Sequence, residues 1–309
     1  MSMKILSAVG MDIGGSHCTA SVVDENGKLL VPAFRVRIDK TAPPGTIADV
    51  IADVIKTAID NVVDPDLYKI VGIGGGAPGP LNMDTGVIGE TPNLVTLRGF
   101  GLAEAISQRT GKPAFLNNDA NLMIFGEAIA GAGQGCNSVY GCTIGNGFGH
   151  GWTRNGEIFV GQHFFGFEMA KCPVSLNGDD STIERWVSIQ GIVDKFRLCG
   201  GLVDKNTDPE AIAKLATQGD LAAQQTYGFL GRCLGFAFSW IQCALDPDII
   251  LVGGNIAKAW DLFQPSMTEF MTKHTWRDCP VPVMPMALGE QAGIIGGALL
   301  AISKFKAQV

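Results

Sequence analysis

The sequence predicts an α/β protein made of two duplicated lobes with a cleft between them. At 309 residues the chain is longer than a single hydrophobic core usually supports, so two domains are the starting expectation. Strand-like and helix-like runs alternate in both halves, which is typical of α/β layers. A three-strand pattern with a glycine loop occurs once in each half, as a duplication would produce.

Composition and charge restrict what such a protein can do. The formal net charge is -7 and the basic residues are scattered, so the sequence offers no basic stripe for nucleic acid. The opening MSMKILSAVG is too short an apolar run for a signal peptide, and no run approaches the roughly 20 apolar residues that span a bilayer. We expect a cytoplasmic protein without nucleic-acid or membrane partners. The eight cysteines lack a Cys-x-x-Cys pair, which favours reduced, mostly buried thiols.

The first lobe is predicted to open with three antiparallel strands. An apolar strand beginning at Ile5 leads into the loop MDIGGSH, and a second strand follows from Cys18 to Val23. The pair Asn26-Gly27 suits a tight turn before a third strand at Leu29 to Val31. Because a strand and not a helix follows the glycines, the loop is the bend of a hairpin.

The rest of this lobe alternates helices with strands that end in small or polar residues. The stretch TIADVIADVIKTAIDNV places its apolar residues on one helical face, with Thr46 as the expected N-cap. YKIVGIGGGAPGP is typical of a buried strand and its loop, and TGKPAFLNND of a helix exit and a short strand. A further helix is predicted from Ala120.

The second half repeats the opening pattern and then becomes mainly helical. VYGCTIGNGFGHGWTRNGEIFV contains a strand, a glycine loop, a second strand, an Asn155-Gly156 turn and a third strand. Helices are predicted around 182–198, 208–217 and 220–245. The apolar strand DIILVGGNI and the closing helix EQAGIIGGALLAISKF complete the chain.

The glycine loops are candidates for holding phosphate, because without a Cβ their N–H groups can approach an anion closely. Neither common nucleotide fingerprint is present, and DIGGS alone is most simply a tight hairpin turn. Two related loops facing each other would instead grip a polyphosphate, with Asp12 placed to hold hydrated Mg²⁺. The loop residues are Gly14, Gly15 and Ser16 in the first half and Gly145, Asn146 and Gly147 in the second. A third loop, Gly253-Gly254-Asn255, either accepts a nucleoside or is a plain strand-to-helix turn.

Several ordered motifs carry a resemblance to a known family. The duplicated meanders with DIGGS, IGNGFG and ILVGGNI resemble the actin-like ATPase (ribonuclease H-like) fold, which includes sugar kinases. More narrowly, GGAPGPLN, TPNL, NNDAN, GEAIAGAGQG and AGIIGGALLA resemble the ROK family of repressors, open reading frames and sugar kinases, from about residue 8 to the C-terminus. The resemblance implies ATP and Mg²⁺ as cofactors and a small-molecule sugar as partner. It also implies an N-terminal lobe of 1–119 plus 291–309, a C-terminal lobe of 120–290, and dimers or tetramers.

Asp119 is the candidate catalytic base. It lies in LNNDAN, where a short strand ends and a helix begins, and the resemblance implies that it takes the proton from the sugar hydroxyl. The preceding Asn118 would bind a neighbouring hydroxyl. The simpler alternative is an Asp that caps the helix, which is common at such junctions.

The resemblance also implies a set of sugar ligands, because each hydroxyl needs both donors and acceptors. Asn93, Glu168 and Glu184 would supply side chains. Gly76 and Ala77 would line the pocket through their backbone. For Glu184 an exposed helix carboxylate is an equally open interpretation.

The sequence departs from the family pattern where a His and a zinc-binding cysteine cluster are usual. Lys171 occupies the His position and only Cys172 remains of the thiols, so structural zinc is not expected. A Lys can donate hydrogen bonds but not accept them. Either Lys171 pairs with Glu168 and keeps it ionised, which we favour, or it contacts an altered or acidic sugar.

These observations together predict an ATP- and magnesium-dependent kinase acting on a hexose or related sugar. Two alternatives stay open. A ROK-like regulator would carry a DNA-reading module, for which we expect no room because the first hairpin begins within fifteen residues of Met1. A catalytically idle sugar binder is supported by Lys171 and by Asn146, where the family more often has Thr.

Overall fold

The computed structural model describes residues 4–77, 79–91, 94–166, 168–176, 179–275 and 280–308. The strands in chain order are β1 (Ile5–Ile13), β2 (His17–Asp24), β3 (Phe34–Arg37), β4 (Tyr68–Ala77), β5 (Leu81–Asn82), β6 (Val87–Ile88), β7 (Ala114–Asn118), β8 (Ser138–Ile144), β9 (Phe148–Arg154), β10 (Glu157–Phe159), β11 (Pro173–Leu176), β12 (Asp179–Thr182), β13 (Ile249–Gly253) and β14 (Val283–Pro285). The helices are α1 (Pro44–Asp60), α2 (Leu102–Thr110), α3 (Asp119–Ala130), α4 (Ile183–Val187), α5 (Ile189–Leu198), α6 (Pro209–Thr217), α7 (Leu221–Leu245), α8 (Trp260–Lys273) and α9 (Ala292–Lys306).

The strand order confirms the predicted duplication. One five-stranded sheet has the order β3-β2-β1-β4-β7 and the other has the order β10-β9-β8-β13-β14. In the first sheet β1 to β3 form an antiparallel meander, and β4 and β7 add in parallel. In the second sheet β13 adds in parallel to β8, and β14 in parallel to β13. The predicted α/β fold with two similar halves is therefore confirmed.

The chain divides into two compact units. The first comprises Met1–Gly135, Gly151–Gly166 and Ala287–Val309, and the second comprises Cys136–His150 and Phe167–Met286. The lobe boundary near residue 119, expected from the family resemblance, stays a prediction.

The first unit has a hydrophobic core on each face of its sheet. Residues of α1 and α2 pack with Val9, Met11 and Ile13 in one core, and residues of α3 and α9 form the other. Helix α9 lies directly on the strands at Gly10 and Gly74, where an added Cβ would collide with the backbone carbonyls of Ile294 and Gly297. These glycines therefore allow a helix to approach the sheet more closely than any other residue would.

Helices α3 and α9 cross at glycine contacts of the same kind. A Cβ added at Gly296 would collide with the carbonyl of Leu122, and one added at Gly126 would lie 2.5 Å from the carbonyl of Ala292. This close crossing fixes the position of α3, whose first residue is Asp119.

The second unit is organised around α7. This helix is long and apolar enough, by length and composition, to cross a membrane, which corrects the expectation that no such stretch exists. However, 61% of its most apolar window is buried, and Gly231 and Gly235 lie close to the backbone of α8. Such burial against neighbouring helices is typical of a core helix.

Three local predictions need correction. The third strand begins at Phe34 instead of Leu29, because Pro32 interrupts the pairing and Leu29 makes only an isolated bridge to Val23. Helix α1 has Pro43 and not Thr46 as its N-cap, so the helix begins one turn earlier. Only three of the seven described cysteines are buried.

Candidate active site

Three adjacent parallel strands of the first sheet bring the main candidate residues together. Asp12 on β1 pairs in register with Gly76 on β4, and Gly76 pairs with Asn117 on β7. A Cβ added at Gly76 would lie 3.6 Å from Oδ1 of Asp12 and 3.2 Å from Cα of Asp119. The predicted base and the predicted magnesium ligand therefore lie on either side of Gly76, at the carboxyl ends of their strands. Ligand sites are common at such strand ends in α/β proteins.

Asp119 is held at the first position of α3 by a network of asparagines. The N-cap of the helix is Asn118, whose side chain accepts a hydrogen bond from the Ala120 N–H at 3.0 Å. The Asp119 carboxylate shares this N–H at 2.8 Å. The buried Asn117 accepts from the Asn118 N–H at 2.8 Å and from the side chain of Asn121 at 3.0 Å. Because Asn118 already caps the helix, the alternative that Asp119 is only a helix cap does not explain why an aspartate occupies this position.

The two carboxylates are open to solvent yet closely surrounded by protein. Burial, with repulsion from Asp119 as the second cause, raises the pKa of Asp12 to about 6, although Arg35 acts in the opposite direction. Burial also raises the pKa of Asp119, partly offset by hydrogen bonding to the Ala120 N–H. Two carboxylates whose charged forms are poorly compensated are suited to a cation and to proton transfer.

The first hairpin presents backbone donors beside Asp12. Its bend closes through the Gly14 N–H, which donates to the His17 carbonyl at 2.8 Å, and the Ser16 carbonyl accepts from Ile38 N–H at 2.8 Å. Among the described residues, the N–H groups of Gly15 and Ser16 have no protein acceptor. They are therefore available to bind an anion.

The second hairpin closes through different hydrogen bonds but leaves the corresponding two N–H groups free. The Gly145 N–H donates to the Gly147 carbonyl at 3.1 Å, and the Gly145 carbonyl accepts from Ile189 N–H at 2.8 Å. The N–H groups of Asn146 and Gly147 have no acceptor within the part of the chain that the structure describes. Two hairpins, one in each unit, thus carry free donors at equivalent positions, as the phosphate-holding hypothesis requires.

Glu184 lies against the second hairpin. Its Oε2 accepts from the Phe148 N–H at 3.1 Å, and its Oε1 lies 2.8 Å from Nζ of Lys171. The favoured prediction that Lys171 pairs with Glu168 is therefore wrong. Glu168 makes only a weaker electrostatic contribution to Lys171, whose pKa is raised mainly by the hydrogen bond with Glu184. Strands β11 and β12 bring together these residues, which are 13 positions apart.

The third loop borders a cavity of about 790 Å³ in the second unit. Gly254 has φ of 88°, and a Cβ there would collide with the Ile144 backbone, so this glycine serves the packing of the loop against β8. Gly253 likewise lies against the Met286 side chain. Of the three loop residues predicted to bind a nucleoside, Asn255 lines the cavity, together with residues that include Pro209, Tyr227, Ile256 and Lys258. The volume suits a ligand of nucleoside size.

The remaining predicted site residues are Asn93 and Ala77. Asn93 lies outside the described residues. Ala77 is buried, backbone included, so its predicted place in the lining of the sugar pocket stays a prediction. The sequence did not identify Asn117 and Asn121, which hydrogen-bond to each other at the start of α3, or the fully buried Glu127 as structurally important. Asn121 was readable as a polar residue within the motif NNDAN, whereas nothing in the sequence marks Glu127 as fully buried.

The duplicated sheets with paired hairpins define a chain of the actin-like ATPase fold. The chain belongs to the ROK family, whose model matches residues 8–304. A glucokinase from Thermotoga maritima is 26% identical over 317 residues, covering 96% of this chain and 97% of that protein. A ROK hexokinase from Thermus thermophilus has a similar structure, with a TM-score of 0.83, 26% identity and coverage of 97% and 99% of the two chains. A ROK glucokinase from Streptomyces griseus, solved with glucose and AMPPNP, has a TM-score of 0.76, 26% identity and coverage of 96% and 99%.

Proposed function

We propose that this chain is an ATP-dependent sugar kinase that transfers the γ-phosphate of ATP to a hydroxyl of a hexose or related sugar. The observation that carries the proposal is the pairing of Asp12 with Gly76 on adjacent parallel strands, with Asp119 beside Gly76 directly after the third strand, next to a hairpin with free N–H donors. Family membership and similarity to glucokinases support it.

Each group has a role that follows from its chemistry. Asp119, ionised above its raised pKa, accepts the proton of the attacking hydroxyl, while Asn118 hydrogen-bonds a neighbouring hydroxyl. The free N–H groups of the two hairpins bind phosphate oxygens and neutralise part of their charge. Asn255 and the cavity beside it hold the nucleoside. Phosphoryl transfer depends mainly on such positioning and charge neutralisation.

Asp12 fits a hydrated magnesium ion. Its carboxylate is open to solvent, and its pKa of about 6 shows that Arg35 does not fully offset the cost of the negative charge. A hard divalent cation prefers such an oxygen ligand and retains several waters. When bound, Mg²⁺ would neutralise charge that develops on the phosphates.

The test of the proposal is release of ADP across a panel of hexoses, amino sugars, N-acetylated amino sugars and polyols. At least one sugar should give magnesium-dependent turnover that saturates with sugar concentration. Absence of turnover with every panel member, in a protein that binds ADP, would favour the idle sugar binder instead.

The role of Asp119 has its own test. Asp119→Ala should abolish transfer while leaving the dissociation constant of ATP unchanged, because the hairpin donors are intact. Asp84→Ala, at an exposed carboxylate in the same unit, is the matched control and should keep wild-type turnover. Normal turnover by Asp119→Ala would place the base elsewhere.

A further inference from the structure

We propose that Arg35 and Arg37 extend the first hairpin into a cationic site for the terminal phosphates of the nucleotide. In this site the two guanidinium groups bind phosphate oxygens alongside the free N–H groups of Gly15 and Ser16. The inference rests on the proposed function, since it takes the first hairpin as a phosphate site.

The pairing of β1, β2 and β3 places Arg35 in one row with Asp12. Asp12 pairs directly with Thr19 on β2, and Thr19 pairs directly with Arg35 on β3. Residues paired in this way project from the same face of an antiparallel sheet. The backbones at the two ends of the row are two strand spacings apart, about 10 Å, a gap that an extended Arg side chain and a phosphate group together can fill. A phosphate beside Asp12 is therefore within reach of the Arg35 guanidinium.

The packing of β3 agrees with this placement of the arginines. Phe34 and Val36 pack against the hydrophobic core that contains residues of α1. Because side chains alternate along a strand, Arg35 and Arg37 lie on the opposite face, and both are exposed. This is the face that carries Asp12.

Arg37 lies beside the bend of the hairpin. It pairs with His17, the first residue of β2, directly after the glycine bend. The residue that follows Arg37 donates its N–H to the Ser16 carbonyl at 2.8 Å, which connects the end of β3 to the bend. Arg37 therefore lies at the level of the free N–H donors, whereas Arg35 lies at the level of the carboxylate on β1.

Neither arginine forms an ion pair with a carboxylate in the part of the chain that the structure describes. The ion pairs of arginine found there involve Arg98, Arg109, Arg185 and Arg197. Burial and repulsion from Asp119 raise the pKa of Asp12, and Arg35 lowers it, so the charge of Arg35 acts at the proposed phosphate site. A guanidinium also offers paired N–H donors that match two oxygens of one phosphate.

The terminal phosphates are the ones that this row of residues would contact. The attacking hydroxyl is proposed to lie at Asp119, and Asp119 and Asp12 lie on either side of Gly76. The transferred phosphoryl group must reach that hydroxyl, so the end of the polyphosphate is expected close to Asp12. The contribution of the arginines should therefore increase with the number of phosphates on the nucleotide.

A simpler role for the two arginines is to protect an edge strand. β3 is the first strand of its sheet, and charged side chains commonly keep such strands from pairing with other chains. That role does not depend on a bound nucleotide, so nucleotide affinity distinguishes the two roles.

The experiment measures dissociation constants of the ATP analogue AMPPNP, ADP, AMP and adenosine by calorimetry on the full chain, with the same excess of Mg²⁺ throughout. Arg35→Met should weaken AMPPNP by about tenfold and ADP by about threefold, since charge-assisted hydrogen bonds at an exposed site are lost. AMP and adenosine should bind as tightly as to wild type. Arg35→Lys should recover part of the AMPPNP affinity, because Lys keeps the charge but not the paired donors. Arg37→Met should weaken AMPPNP by about threefold.

Arg154→Met is the matched control. Arg154 is an exposed arginine on β9 in the same unit, so removing its charge should leave all four constants unchanged. The thermal midpoint of each variant verifies folding. Raising the salt concentration should weaken AMPPNP binding more for wild type than for Arg35→Met, because salt screens a charge that the variant lacks.

The inference fails in either of two cases. If Arg35→Met binds AMPPNP as tightly as wild type, the arginines serve only the edge strand. If Arg35→Met weakens adenosine as much as AMPPNP, the substitution acts through the fold and not on phosphate. A wild-type protein that binds AMPPNP but phosphorylates no sugar would contradict the proposed function alone, whereas one that binds no AMPPNP would contradict both.

Discussion

Replacing Asp12 by Asn should stabilise the ligand-free protein at neutral pH while abolishing magnesium-dependent turnover. Burial and repulsion from Asp119 raise the pKa of Asp12 from 3.8 to about 6 in the folded protein. A folded-state pKa above the unfolded value means that protonation favours folding. The associated stability is fully present below about pH 3.8 and is lost as the pH rises through 6. Asn, which has no charge, avoids this loss.

The expected gain in stability follows from the size of the pKa shift of Asp12. A displacement from 3.8 to about 6 corresponds to roughly 3 kcal/mol at 1.36 kcal/mol per pKa unit. Since the Asp12 side chain is open to solvent, screening reduces the expected gain to about 1 kcal/mol. For a chain of 309 residues this is an increase of about 2 °C in Tm.

The assay is thermal unfolding of wild type and Asp12→Asn at intervals between pH 4 and 8, without ligand. The two Tm curves should nearly coincide at pH 4, separate progressively between about pH 4 and 6, and stay a constant distance apart above about pH 6. Arg35→Met should move the separation to higher pH, because Arg35 lowers the pKa of Asp12, and Asp119→Asn should move it to lower pH. Parallel Tm curves for wild type and Asp12→Asn at all pH values would refute the electrostatic reasoning.

Three further predictions follow from other contacts. Asp119→Asn should lower kcat by about 10²- to 10⁴-fold, and the wild-type kcat/KM should fall on acidification with a midpoint above 3.8, measured by ADP release across pH, because burial raises the pKa of Asp119. Glu127→Ala should destabilise the protein by about 3 kcal/mol in urea unfolding, because the fully buried Glu127 accepts hydrogen bonds from three backbone N–H groups at 2.6 to 3.0 Å, whereas Glu127→Gln should cost less. Gly296→Ala should cost about 1 to 3 kcal/mol in the same assay, since its Cβ would collide with the Leu122 carbonyl, and an unchanged unfolding midpoint would show that α3 and α9 separate easily.

Much of the first unit could be predicted because its determinants are local. The Asn26-Gly27 turn, the glycine bend after Asp12 and the strand-to-helix junction at Asp119 each depend on residues adjacent in sequence. The parallel order of β1, β4 and β7 then brings Asp12 and Asp119 near each other without further information. The second hairpin could be predicted because the same local motif recurs in the second half of the sequence.

The partner of Lys171 was not predictable in this way. Glu168 is three positions away and Glu184 is thirteen, so proximity in the chain favoured the wrong carboxylate. The antiparallel pair of β11 and β12 reverses the chain and brings Glu184 to Lys171. A signal was present, since the sequence has Asn-Gly at 177–178, the same pair that predicted the turns at 26–27 and 155–156.

The glycines of the first sheet show how packing positions the candidate active site. Gly10 and Asp12 lie on the same face of β1, as do Gly74 and Gly76 on β4, because side chains alternate along a strand. Helix α9 covers this face at Gly10 and Gly74, and its first residues lie towards the carboxyl ends of the strands, since Gly72 faces Ala301 while Gly74 faces Gly297. The N-terminus of α9 therefore lies just before Asp12 and Gly76, and the positive end of the helix dipole points towards these residues. A larger residue at Gly10 or Gly74 would push α9 away from the sheet, so glycines that contact no ligand are as necessary to the site as those in the hairpins.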